Sequence, residues 1–220
     1  NAQNNNYQRH KLFSDALSEE RIIDVVVPKN YNKSEKDYPV LYVLDGEYVF
    51  NYAVGAVDFL SNPFGKLPEM IVVSIPNTDR YRDLYISLNS ENHYSPFVKF
   101  IETELLPYIN KNYRSNGFDI LYGWSSGASI CTYFLSTNSQ VFDAYIESGS
   151  GIGKNTKKYI ENKLPSQKFN NTYLYVNTEE KGHRVAGLNT YKTVIETLKP
   201  EGLNYKFEIA EKTDHVGTLS

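Results

Sequence analysis

Short apolar runs bounded by polar or turn residues alternate along the chain with longer stretches of helical spacing. The strand-length runs are Ile22 to Val27, Val40 to Leu44, Met70 to Ile75, Phe118 to Tyr122, Ala144 to Glu147, Tyr173 to Val176 and Tyr205 to Ile209. Their β-branched and aromatic content suits the pleated surface of a sheet. Between them, Tyr48 to Leu60, Phe97 to Asn112, Ser126 to Ser136, Lys157 to Leu164 and Leu188 to Leu198 place apolar residues on one helical face. In the second of these, Ser95 stands as an N-cap, Pro96 takes the first helical position, and Pro107 is expected to end or kink the helix. Such alternation predicts an α/β fold, a mostly parallel central sheet with helices on both faces. The polar loop Asn30 to Asp37 is expected to join two strands of a hairpin.

Composition narrows the picture. With 220 residues, 40% of them hydrophobic, the chain suits one domain spanning 1–220, and neither a repeat period nor a linker composition divides it. A net charge of -3 gives no footprint for nucleic acid and points to a small or neutral partner. The single cysteine, Cys131, excludes an internal disulfide and reads as a small hydrophobe inside a helix. No apolar run approaches the roughly 18 residues of a membrane span. The first residue is Asn and Gln3-Asn4-Asn5-Asn6 follows, so residues 1–6 are expected to be a disordered mature N-terminus or tag remnant. Export, for example to a periplasm, is the expected localisation, with the cytoplasm as the alternative.

Candidate chemistry lies in Gly123-Trp124-Ser125-Ser126-Gly127, which carries the pattern G-x-S-x-G. A strand runs into it from Phe118 to Tyr122 and a helix leaves it at Ala128, the setting in which a nucleophilic serine is held on a sharp elbow. The turn strains the serine backbone, and small residues two positions before and after it let the chains pass closely. A serine hydroxyl also needs a base to take its proton and a carboxylate to orient that base. His10, His93, His183 and His215 are the candidates for the base. In the chain order nucleophile, acid, histidine, His215 is expected, after the strand Tyr205 to Ile209. His183 is the alternative, His93 is expected to line the pocket, and His10 to lie at the surface. The strand Thr172 to Val176 ends in Asn177-Thr178-Glu179-Glu180. One of these glutamates is the expected acid, Glu180 by preference, with Asp143 and Asp214 as alternatives.

With these residues in place, the sequence resembles the esterase D-like branch of the α/β hydrolases, which includes enterochelin-type siderophore esterases. Pro39 to Glu47 is similar to the family's strand ending in Leu-Asp-Gly, Pro76 to Leu84 to its Asn…Arg…Asp-Leu segment, Phe97 to Tyr113 to its long helix, and Asp214-His215-Val216 to its histidine motif. The resemblance implies an α/β-hydrolase fold and an oxyanion hole formed by the backbone N–H groups of Glu47 and Ser126. It also implies that Arg80 faces the substrate, with a salt bridge to Asp83 as the alternative; Asp45, His93 and Trp124 are expected to face the substrate as well. The family usually has His where Trp124 stands, and a Gly pair after the nucleophile where Gly127-Ala128 stand. It also continues with a C-terminal helix, which is expected to be missing from a chain that stops at Ser220.

The expected reaction is hydrolysis of a small siderophore-like ester through an acyl-enzyme on Ser125. A carbohydrate-linked acetyl or feruloyl esterase is the alternative, and a non-catalytic binding module on the same scaffold is a third reading. No metal or organic cofactor is implied. Gly149-Ser150-Gly151-Ile152-Gly153 follows a strand without completing a dinucleotide fingerprint.

Overall fold

All seven expected strands form, and an eighth joins them at the sheet edge. The computed structural model describes residues 6–62, 64–86, 95–182 and 184–219. The chain divides into two compact units, residues 1–83 with 94–120 and residues 84–93 with 121–220.

In the first unit the strand order is β1 (Tyr7–Ser14), β2 (Glu19–Val26), β4 (Ile71–Ile75), β3 (Tyr38–Leu44) and the start of β5 (Ser115–Trp124). β3 and β4 pair in parallel and are buried along their whole length, as expected of apolar runs covered on both faces. β2 runs antiparallel to β4 and to β1. The loop at 30–37 therefore does not close a hairpin: β4 stands between β2 and β3. β1 was not expected, because its residues are largely polar and exposed, as suits an edge strand. His10, expected at the surface, is half-buried on this strand. Its Nδ1 lies 2.9 Å from the Tyr108 hydroxyl and its Nε2 faces the Tyr113 hydroxyl, and burial lowers its pKa.

Helix α1 (Gly46–Ser61) packs on β3 and β4, and α2 (Arg80–Leu84) follows β4. The helix expected over 97–112 forms as α3 (Pro96–Phe100) and α4 (Leu106–Asn112), joined by a π turn at Ile101–Leu105. Ser95 Oγ accepts the Phe97 N–H at 3.3 Å, the expected cap. Pro107 does not end the helix: the wide π turn just before it accommodates a residue that has no N–H to give.

In the second unit the end of β5 is followed by β6 (Ala144–Ser148), β7 (Thr172–Glu179) and β8 (Leu203–Ala210), with β6, β7 and β8 all parallel. Parallel neighbours need crossover helices, supplied by α6 (Lys154–Lys163) and α7 (Arg184–Leu198). α5 (Ala128–Thr137) packs on β6, and α7 on β7 and β8. Cys131 is fully buried in α5, as its setting suggests. Among the described residues no helix is long and apolar enough to cross a membrane.

Candidate active site

β5 runs into the G-x-S-x-G turn and α5 leaves it. Between them Ser125 has φ +54°, a left-handed backbone that a serine adopts only when its surroundings impose it. Closeness is the cause. A Cβ at Gly123 would stand 2.5 Å from the Gly127 carbonyl group and 2.7 Å from the Ala128 nitrogen. Ser126, whose N–H is an expected oxyanion donor, continues this turn, a single 3-10 turn over Ser125–Gly127.

His215 follows β8, as expected, and three residues lie against it. Its imidazole stacks on the indole of Trp124, with ring centroids 4.8 Å apart and planes 24° from parallel. The indole N–H donates to the His215 carbonyl at 3.2 Å and to Thr218 Oγ at 3.3 Å. The Nδ1 of His215 lies 3.4 Å from Glu179 Oε2. On its Cε1–Nδ1 edge the ring meets Gly149, where a Cβ would stand 2.6 Å from Cε1.

The carboxylate beside His215 is therefore Glu179 and not the expected Glu180. Glu180 is exposed and accepts the Lys212 N–H at 3.1 Å. Glu179, the last residue of β7, is buried and accepts from Thr178 Oγ1 and Arg184 Nη1, each at 2.9 Å. Burial works against its charge. Hydrogen bonds from its own backbone N–H, Arg184 and Thr178 outweigh that and hold its pKa down to about 2. It is an anion at any ordinary pH, suited to accept from an imidazole N–H. Asp214, an alternative acid, accepts the Gly217 N–H instead.

The glycine cluster after β6 has structural work that its sequence did not reveal. Besides Gly149 at His215, Gly151 lies against the first turn of α7. A Cβ there would stand 2.6 Å from the Arg184 carbonyl oxygen, and one at Gly187 would meet the Gly151 backbone at 2.9 Å. Beneath the cluster, Glu147 is fully buried and accepts from Ser150, Thr132 and Tyr191. Burial pushes its carboxyl up to about 8 against those hydrogen bonds, so it is largely uncharged at neutral pH.

The residues expected to face the substrate in the first unit are differently engaged. Asp45 is fully buried at φ +53°, gripped by Arg80 through Nε at 2.7 Å and Nη2 at 2.8 Å, and by Asn77 Nδ2 at 2.7 Å. Burial removes Asp45 from any surface a substrate reaches. Arg80 pairs with Asp45 rather than with Asp83, which is taken by the buried Arg21 at 2.8 Å and by Arg82 at 2.6 Å. Glu47, whose N–H is the other expected oxyanion donor, lies in the first turn of α1, and its carboxylate accepts from the Asn77 N–H and Nδ2. His93 and His183 fall outside the described residues. Among the described residues no group of three or more His, Cys, Asp or Glu could hold a metal ion.

Comparison with protein families matches residues 14–192 to the family described as "Putative esterase". Comparison with curated proteins gave no match. Among solved structures, an IroE-like serine hydrolase from Shewanella oneidensis is similar with a TM-score of 0.87 at 24% identity, over 97% of this chain and 76% of that chain. A siderophore hydrolase, EstB, from Aspergillus nidulans is similar at 0.76 and 19%, over 98% of this chain and 92% of that one. A ferulic acid esterase is similar at 0.68 and 20%, over 94% and 90%. At these identities the likeness is one of fold.

Proposed function

Because the chain belongs to the putative esterase family of α/β hydrolases, we propose that it hydrolyses a carboxylic ester through an acyl-enzyme on Ser125, with His215 as base and Glu179 as its carboxylate partner. One observation carries this reading. His215 is stacked on the residue immediately before Ser125, with its Nδ1 turned to a buried anion. An acceptor-only carboxylate at Nδ1 favours the tautomer with the proton there, which leaves Nε2 free to accept.

In the first step Ser125 Oγ bonds the ester carbonyl carbon as its proton passes to His215 Nε2. The charge that develops on the carbonyl oxygen meets the Ser126 N–H. The tetrahedral adduct expels the alkoxide, which takes the proton from His215 and leaves as the alcohol. Water then gives a proton to His215, attacks the acyl carbon and releases the acid, and Ser125 recovers its proton. Arg184 supports the cycle from one place further out, keeping Glu179 ionised while His215 gains and loses charge.

For the substrate we propose a siderophore-type ester. The support is the resemblance of the Leu-Asp-Gly, Asn…Arg…Asp-Leu and Asp-His segments to the siderophore-esterase branch. Two measurements test the reading. A fluorophosphonate probe is expected to label the wild-type protein and not Ser125→Ala, and labelling that persists in the variant overturns the nucleophile. In an ester panel, catecholate siderophores are expected to exceed p-nitrophenyl acetate and feruloylated sugars in kcat/KM. A preference for the sugars overturns the substrate class alone.

A further inference from the structure

Trp124 occupies the position between Gly123 and the elbow serine, and it makes three contacts with the segment that carries His215. These are the ring stack, the indole N–H to the His215 carbonyl, and the indole N–H to Thr218 Oγ1, which itself donates to that carbonyl at 2.7 Å. The segment has other anchors as well: the Lys212 N–H donates to Glu180 at 3.1 Å, and Thr218 is buried. After β8, Thr213 Oγ1 donates to the carbonyl of Ala210, the last residue of that strand, the Gly217 N–H donates to Asp214 within the segment, and Val216 is exposed. The contact of His215 with Glu179, at 3.4 Å, is at the long limit of a hydrogen bond and orients a ring weakly.

We propose that Trp124 is a positioning residue that sets the plane of the His215 imidazole by stacking, so that the base is registered to the backbone that carries the nucleophile. This rests on His215 and Ser125 acting as proposed above. The indole belongs to the same strand end as Ser125, so a displacement of the elbow carries the base with it. Stacking fixes the plane of the ring and Gly149 limits its edge, which leaves Glu179 to select the tautomer. A side chain at position 124 that served as a wall of the acyl pocket would offer its face to the substrate. Here one face of the indole is covered by the imidazole, and its N–H is spent on the His215 segment.

The test compares wild type with Trp124→Phe, Trp124→Leu and Trp124→Ala on p-nitrophenyl acetate, butyrate and octanoate, and follows the rate of fluorophosphonate labelling. Leu and Ala are expected to lower kcat at least about tenfold on all three esters, with KM held within about twofold and labelling slowed in parallel. Phe, which keeps an aromatic face without the N–H, is expected to recover most of kcat. In proton NMR the indole ring current should hold the His215 Cε1–H upfield, and Leu should release it downfield. A loss confined to KM, a loss that varies with acyl length, or an unmoved His215 resonance in the Leu variant overturns the role of Trp124 while leaving the esterase reading intact. A wild-type protein that the probe does not label at Ser125 overturns both.

Discussion

Gly149→Ala places a methyl group where the His215 ring now lies. The new Cβ would stand 2.6 Å from Cε1, 2.7 Å from Nδ1 and 2.9 Å from Thr218 Oγ1. Carbon atoms in comfortable contact are about 3.5 to 4.0 Å apart, so the ring must retreat by about 1 Å. The retreat lengthens or redirects a Glu179 contact already at 3.4 Å and disturbs the stack on Trp124. A displacement of that size at a catalytic group costs on the order of 100-fold, or about 2.7 kcal/mol of transition-state stabilisation. Residue 149 also sits at φ +59°, where a Cβ adds about 1 kcal/mol of backbone strain, so stability should fall by an amount too small to unfold the protein. Gly153→Ala is the control, since a Cβ there meets nothing within 4 Å. The assay is p-nitrophenyl acetate hydrolysis beside urea unfolding of both variants. Gly149→Ala should lose about 100-fold in kcat/KM and stay folded, and Gly153→Ala should behave as wild type. A Gly149→Ala enzyme within twofold of wild type would refute the placement of His215 against this backbone.

Substitutions at four other residues probe further contacts. Glu179→Gln should lower kcat by about 10- to 100-fold, short of the roughly 10⁴ seen where a carboxylate holds its histidine closely, while Glu180→Gln stays within about twofold; steady-state kinetics showing the reverse order would return the acid to Glu180. Glu147 has a folded pKa of about 8 against an ordinary 4.5, so its stabilising contribution is complete below about pH 4.5 and is lost as pH rises through 8. Across that window wild type should lose stability, with an upper bound on the order of 5 kcal/mol, and Glu147→Gln should lack that slope; parallel urea midpoints for the two proteins between pH 5 and 8 would contradict the buried neutral acid. Arg80→Leu strands the buried Asp45 carboxylate and should cost about 2 to 3 kcal/mol of unfolding free energy, less than a fully buried pair because Arg80 keeps part of its side chain in solvent. Arg80→Lys should restore only part of this, since an ammonium cannot reproduce the two-pronged contact, and an unchanged denaturation midpoint in the Leu variant would count against the pair.

The apolar runs of β3 and β4 and the strand-turn-helix around Ser125 were legible because burial on both faces and close backbone passage each demand particular residue types. β1 leaves no apolar signal in the sequence, because most side chains of this edge strand lie in water. The choice between Glu179 and Glu180 turns on which side chain leaves the strand end inward, and β7 is buried continuously from Val176 to Glu179 without an alternation to read. Its decisive partner, Arg184, belongs to the next helix and could not be assigned by order along the chain. For Asp45, the match to a Leu-Asp-Gly strand end marked an important position but not its duty: the carboxylate serves Arg80 and Asn77 within the fold. In the sequence Trp124 reads as a residue facing the substrate, and Gly149 as one member of a glycine cluster that completes no dinucleotide fingerprint. That one covers the face of His215 and the other admits its edge follows only from tertiary placement.

The contact of Gly151 with Gly187 reaches further than a tight bend. The start of α7 is seated on bare backbone, with no side chain to act as a spacer or to yield. Arg184 stands on that same first turn, so the depth at which the helix docks also sets how far its guanidinium extends toward Glu179. The ionisation of the carboxylate is in this way geared to helix packing several residues away. A methyl group at either glycine would act as a wedge, lifting the helix end and loosening the acid without touching serine, histidine or glutamate.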